Sequence, residues 1–348
     1  MTFKMNRRTA LKTGAASLAV AAIARPAFAN AEITLKMSNY LPPMHGFTRD
    51  FMIPFGEELA ERTGGKVEVE VLDATTAFGK IDRQADQVRA GVVDIALGLN
   101  GIPRDRFVAS SIMEMPFLVQ NAGSGSRAMW ELFKEGAFGD EYNNFHVLGL
   151  MVHNGGLIHT TDKPVRALED LAGLRLRTPS PAVSAMLENL GASPVGMPPS
   201  AIYENLQKGS LDGAITTWDL VGAIRANEVL KYHTDAAAYA AGFHILMNKK
   251  KYEGLPGDVR GVLDDMTGDA LVAKMGDWWD AWDKRGKDDA IERGNEIITI
   301  DDATRAEWKA SLEPMTNDFL ESLKAQGVVD PQAIYQRAQE LIAQFETA

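Results

Sequence analysis

Two hydrophobic periods alternate along this chain, and that alternation constrains its fold more than any other feature. Lys66-Val67-Glu68-Val69-Glu70-Val71 repeats every second residue, which predicts a strand with one wetter face. Before it, Phe51, Phe55 and Leu59 recur at helical spacing, and Gly64-Gly65 ends that helix. After it, a polar helix around Asp82 to Ala90 stops at Gly91 and leads into Val92-Val93-Asp94-Ile95-Ala96-Leu97. The last run is apolar almost throughout, as a parallel strand buried on both faces must be.

A similar unit recurs more than a hundred residues later. A helix ending in Leu206-Gln207-Lys208 meets Gly209, and Asp212 follows before Ala214-Ile215, matching the spacing of Gly91 and Asp94. The match fits two related lobes, and equally the helix, glycine cap and strand that recur in any α/β chain. Between the units, Leu174-Arg175-Leu176-Arg177 reads as a strand cut off by Thr178-Pro179-Ser180-Pro181, with a helix from Ala182 to Leu190. Later come a strand near Phe243 to Met247, a helical region from about Pro256 to Gly294, a strand at Glu296 to Ile300, and helix to the end. Such alternation predicts an α/β fold of mainly parallel sheets flanked by helices, with ligands bound beyond the carboxyl ends of the strands.

Residues 1 to 29 carry five basic side chains, Lys4, Arg7, Arg8, Lys12 and Arg25, and no acidic one. The apolar stretch from Thr13 to Ala24 is too short to span a bilayer of about 30 Å. Ala27-Phe28-Ala29 sets small residues where a signal peptidase cuts, so the segment reads as an export signal with the mature chain starting near Asn30. Asn6-Arg7-Arg8-Thr9-Ala10-Leu11-Lys12 resembles the twin-arginine signal and departs from it at Ala10, and an ordinary secretory signal is the alternative. Either route predicts a periplasmic protein that is not embedded in the membrane. Removing the segment takes the formal net charge from −11 to −16, which disfavours a nucleic-acid partner. An anionic ligand would then need a locally positive pocket.

The absence of cysteine excludes disulfides, thiolate nucleophiles and cysteine-held metals or clusters. No phosphate loop, dinucleotide fingerprint, His-Glu-x-x-His pair or Gly-x-Ser-x-Gly elbow is present. His146, His153 and His159 lie close in sequence, but odd and even spacings along a strand point side chains to different faces. Asp264-Asp265 and Asp288-Asp289 read as solvated helix faces. No cofactor and no metal are expected, nor any catalytic residue.

Several segments in order carry a family resemblance: Thr63-Gly64-Gly65-Lys66-Val67, Gly91 to Ala96, Met115-Pro116-Phe117-Leu118, Asp170 to Pro179, Leu190 to Val195 with Met197, Tyr203 to Gln207, and Leu211-Asp212-Gly213. The chain resembles the solute-binding subunits of tripartite ATP-independent periplasmic (TRAP) transporters, of the C4-dicarboxylate-binding type. The resemblance implies a two-lobed, periplasmic-binding-protein-like fold with a hinge and a long helix linking the lobes. On it, lobe I takes residues 30 to 154 and about 243 to 282, lobe II takes 155 to 242 and about 283 to 320, and a C-terminal helix covers about 321 to 348. It further implies a small organic acid as ligand, and a small and a large membrane subunit as partners. A ligand-sensing periplasmic protein, an exported enzyme on a similar scaffold, and the binding protein of an ATP-driven transporter are the alternatives.

In the family, the arginine before the Val/Thr-Pro step holds the ligand carboxylate, and here that residue is Arg177. A planar guanidinium matches both oxygens of a carboxylate. Ala214-Ile215-Thr216 replaces the family's Gln-Glu-Asn, leaving Thr216 as the candidate for the asparagine contact. The second arginine of sialic-acid binders and the Glu-Trp pair of some cation-bridged keto-acid binders have no counterpart. Trp218 is expected as a stacking wall, with His45, Phe78, Asn100 and Phe243 as further lining. Trp278, Trp279 and Trp282 are expected to pack inside the fold. One main arginine beside an aromatic wall favours a monocarboxylate with an apolar or aromatic body.

Overall fold

A computed structural model describes residues 31 to 347 of the chain, so the expected export signal lies outside the described residues. Two β-sheets organise the molecule. The first runs in the order β2-β1-β3-β10-β4, from β1 (Ile33–Ser38), β2 (Val67–Leu72), β3 (Ile95–Leu99), β4 (Phe145–Val152) and β10 (Gly242–Asn248). The second runs β11-β9-β5-β8-β6-β7, from β5 (Gly156–Thr160), β6 (Arg175–Thr178), β7 (Ser193–Gly196), β8 (Gly213–Thr216), β9 (Tyr232–Tyr239) and β11 (Glu296–Thr299). Helices flank both, giving two α/β lobes.

The sheets are mixed rather than mainly parallel. β1 pairs parallel with β2 and β3, and β6 parallel with β7 and β8. β10 instead lies antiparallel to β3 and β4, and β5 antiparallel to β8 and β9. The antiparallel pairings all involve the strands on which the chain crosses between lobes, β4 into β5 and β9 into β10. A crossing strand leaves one sheet and enters the other without a helical return, and only such a return would make it parallel to its neighbours.

The repeated Gly-x-x-Asp unit performs one task in both lobes. Gly91 and Gly209 adopt left-handed φ of 71° and 69° to end their helices. Asp94 Oδ2 then accepts the Lys36 N–H of the neighbouring strand at 2.8 Å, and Asp212 Oδ2 accepts the Arg175 N–H at 2.8 Å. Arg175 also pairs with Asp212 through its side chain at 2.6 Å, so it belongs to strand anchoring.

The helical region expected from Pro256 to Gly294 is three helices, Gly257–Met266, Asp269–Val272 and Met275–Glu292. It breaks at Gly268, whose φ of 61° no helix tolerates and whose N–H donates to Leu148 O at 2.7 Å. The helix Met275–Glu292 packs against Ala122–Lys134 of the first lobe and Trp218–Ala223 of the second, and so joins the lobes. One apolar cluster runs through both lobes, from Met37 and Ile245 to Leu176 and Ile215. The C-terminal helix Pro331–Glu346 lies against Ala122–Lys134. Among the described residues no helix is long and apolar enough to cross a membrane.

Candidate functional site

Arg177 is the last residue but one of β6, where Pro179 stops the strand and Ser180 caps the helix Pro181–Asn189 by accepting from the Val183 N–H. The following helix therefore cannot cover the guanidinium, which turns into a cavity between the lobes. Arg177 is only 3% exposed. Its Nη1 donates to Ile215 O and its Nε to Met197 O, both at 3.3 Å, and among the described residues no carboxylate pairs with it. Burial pulls its pKa below the ordinary guanidinium value, and the nearby Tyr239 and Tyr40 partly offset this. A buried cation without a counter-charge is a site prepared for an anion.

The cavity is open to solvent on one side, and the space between atoms, counted with that open mouth, is about 400 Å³. From the first lobe come Tyr40, Leu41, His45, Ile81 and Leu99; from the second, Arg177, Pro179, Pro199, Thr216, Thr217 and Leu220. The crossing strands add His153, Tyr239, Ala241 and Phe243, and the joining helix adds Trp279. Several of these follow the carboxyl ends of strands, where α/β folds place ligands. Part of the wall is aromatic: Phe243 lies 5.9 Å from Trp279 and 6.0 Å from His153, centroid to centroid. Burial pushes the Tyr40 and Tyr239 hydroxyls well up, so both stay neutral donors.

Burial also lowers His45 to about 3 and His153 to about 4, which keeps both rings neutral. His153 Nε2 accepts the Ala241 N–H at 2.9 Å while its Nδ1 faces Asn154 O, so one imidazole ties the two crossing segments together. His45 Nδ1 accepts the Phe47 N–H at 3.2 Å, which leaves Nε2 as the donor side, 3.1 Å from Asp219 Oδ2 of the second lobe. The lobes thus touch across the cavity. Trp279 Nε1 is buried and has no hydrogen-bond partner among the described residues.

Of the residues expected to line a site, the structure brings together Arg177, Thr216, His45 and Phe243. Trp218 instead faces the interior of the second lobe, its ring 5.1 Å from His159 and 4.7 Å from His233. The sequence places it after β8, but the helix that begins at Trp218 turns its ring inward. Asn100 is spent inside the first lobe, donating to Ser110 Oγ and Tyr142 OH with its Oδ1 2.7 Å from His244 Nδ1. Phe78 sits half-buried on the far loop, with Lys36 Nζ 6.0 Å from its ring. Tyr40, Tyr239 and His153 were not anticipated, although each sits at the end of a strand. Trp279 packs inside as expected and also lines the cavity. His146 stacks on Tyr252 at 3.4 Å, far from any common centre with His153 and His159.

Residues 37 to 323 match the family of bacterial extracellular solute-binding proteins, family 7, the DctP family. The chain belongs to this family. A TRAP solute-binding protein of Rhodoferax ferrireducens, crystallised with copurified benzoate, is 32% identical with a TM-score of 0.86, covering 90% of this chain and 98% of its own. A marine-metagenome TRAP solute-binding protein specific for aromatic acids, in complex with 3-hydroxybenzoate, is 31% identical with a TM-score of 0.87, covering 91% and 100%. The outer membrane transporter protein TsaT of Comamonas testosteroni is 28% identical over 96% of this chain and 98% of its own length. The two-lobed fold is therefore the TRAP receptor fold, and the family is one of binding proteins that capture organic acids.

Proposed function

We propose that this TRAP receptor captures an aromatic monocarboxylate in the periplasm and delivers it to a small and a large membrane subunit, without chemistry of its own. The observation that carries the reading is a buried guanidinium, Arg177, unpaired among the described residues and sharing one cavity with the rings of Phe243, Trp279 and His153. Arg177 grips the carboxylate as a fork, and the neutral Tyr40 and Tyr239 hydroxyls, which line the same cavity, donate to the same oxygens. The ring then lies against the aromatic wall, where edge-to-face and offset contacts add to simple burial. A dicarboxylate would bury a second charge against walls that offer no second cation, a cost that discriminates against it. Solved relatives with benzoate and 3-hydroxybenzoate support the same chemistry.

Binding energy goes into holding the lobes together, because the ligand meets both lobes only when they are closed. Calorimetry of the mature protein with benzoate, 3-hydroxybenzoate, mandelate and succinate tests the reading. Tight binding of an aromatic acid with weak or absent binding of succinate is the expected order. Preference for succinate would refute it.

A further inference from the structure

Two acidic side chains lie buried at separate points of contact between the lobes, and among the described residues neither pairs with a lysine or arginine. Glu114, in the turn Ala109–Glu114 of the first lobe, is 1% exposed. Its Oε1 accepts the Gly242 N–H at 3.2 Å, where the chain crosses between lobes; among the described residues its Oε2 has no hydrogen bond of ordinary geometry, and the Ser180 side chain of the second lobe lowers its pKa only in part against burial. Ser180 of the second lobe stands beside it: a Cβ placed on Gly101 would lie 2.8 Å from Ser180 Cβ and 3.5 Å from Glu114 Oε2. Asp219, in the second lobe, is 6% exposed and lies against His45 of the first. Its Oδ2 lies 3.1 Å from His45 Nε2, yet off the hydrogen-bonding axis, and is otherwise unpartnered.

We propose that Glu114 and Asp219 are positioning residues that couple acid capture to lobe closure, each taking up a proton when the lobes close and seal it away from water. The inference rests on the reading of the cavity as an acid site closed by lobe motion. In the closed arrangement burial outweighs what compensates a carboxylate at either place, because among the described residues the one ion-pairing neighbour of Asp219, His45, is itself held neutral and Glu114 has none. In an open arrangement both carboxyls meet water and ionise in the ordinary way. Burial raises Glu114 and Asp219 to about 7 in the closed structure.

The surrounding charges do not cancel this. Glu114 is faced by Tyr40, Tyr142, Tyr239 and, beyond them, Arg177, and Arg104 and Asp105 line the second cavity on which it opens. Asp219 is faced by His45, Arg49 and Asp50, and its N–H donates to Asp283 Oδ1 at 2.9 Å. Asp283 in turn meets Asn154 and Asp280, and is raised to about 7, chiefly by burial. Arg225, Arg285, Asp289 and Arg293 line the outer groove beyond Asp219. His45 and His153 act in the opposite sense, shedding protons when the cavity closes around them. The carboxyl contribution is therefore read by difference between variants.

Calorimetry with benzoate at pH 6 and pH 8, in buffers of different ionisation enthalpy, makes the test. For a carboxyl that titrates near 7 when closed and near 4 when open, linkage gives a ratio of Kd at pH 8 to Kd at pH 6 larger by up to about tenfold. Glu114→Gln and Asp219→Asn each remove that factor and lower the number of protons taken up per acid bound. Ratios and proton counts equal to those of the unaltered protein in both variants would overturn the proposal. A second measurement needs no ligand. The chain lacks cysteine, so Glu57→Cys and Glu188→Cys accept spin labels on exposed sites, one on each lobe. Acidification from pH 8 to pH 6 shifts the labelled protein toward closure relative to the same protein carrying Glu114→Gln and Asp219→Asn. Identical distance distributions in the two overturn the proposal. If benzoate, 3-hydroxybenzoate and mandelate give no heat, the aromatic-acid reading fails, and the label distances still decide this one.

Discussion

Replacing Arg177 with methionine separates two effects of one buried charge. With ligand present, the guanidinium and carboxylate form a desolvated pair, and truncating one partner of such a pair costs about 2 to 5 kcal/mol. Affinity then falls by roughly 30-fold to several thousand-fold. Without ligand the sign reverses for closure. The guanidinium is 3% exposed and meets only two carbonyl oxygens at 3.3 Å, so closing an empty receptor strips a cation of water for little return. Methionine, of similar length and without charge, removes that penalty. The expected outcome is a folded variant that loses benzoate affinity in calorimetry while its unliganded lobes close more readily, read by the same inter-lobe spin-label distance. A circular dichroism spectrum and melting temperature like the original protein's exclude misfolding as the cause. Benzoate affinity within threefold of the original, in a folded variant, would refute the assignment of Arg177 as the carboxylate clamp.

Tyr239→Phe removes one neutral donor beside Arg177, and the Kd for benzoate should rise by an amount equivalent to about 1.5 to 3 kcal/mol, the range for a hydrogen bond to a charged group. An unchanged Kd would place the hydroxyl outside the carboxylate's reach. Gly286→Ala sets a Cβ 1.9 Å from the Trp218 carbonyl oxygen, a backbone atom that cannot rotate aside, so the two helices must part at a cost of about 1 to 3 kcal/mol, seen as a lower melting temperature. The second lobe should also lose stability in acid. Asn295 Nδ2 lies 3.1 Å from His233 Nε2, and His233 Nδ1 lies 2.7 Å from His159 Nδ1, a chain that holds both rings neutral. Burial lowers His233 to about 4, against about 6.5 when unfolded, so the unfolded chain binds more protons across that window. Stability is then full above pH 6.5 and falls by up to about 3 kcal/mol toward pH 4, measurable by urea unfolding. His233→Gln should flatten that dependence.

Much of the architecture is written locally. Alternation at Val67, Val69 and Val71, the apolar run ending at Leu97, and the glycine stops at Gly91 and Gly209 depend on near neighbours, and β2, β3 and β8 form where those signals stand. The same holds for Arg177, because its place before Thr178-Pro179 fixes it at a strand end whatever the rest of the chain does. Tertiary structure alone decided which strand ends meet. Tyr40 and Tyr239 are remote in sequence and share the cavity only because β1 and β9 end at the same cleft, whereas Phe78 and Asn100, equally plausible by position, end elsewhere. Trp218 and Trp279 show the reason most plainly. A period reports that a residue is buried, but which side of the burial holds a cavity depends on packing between segments far apart in the chain, and no short-range pattern carries that information.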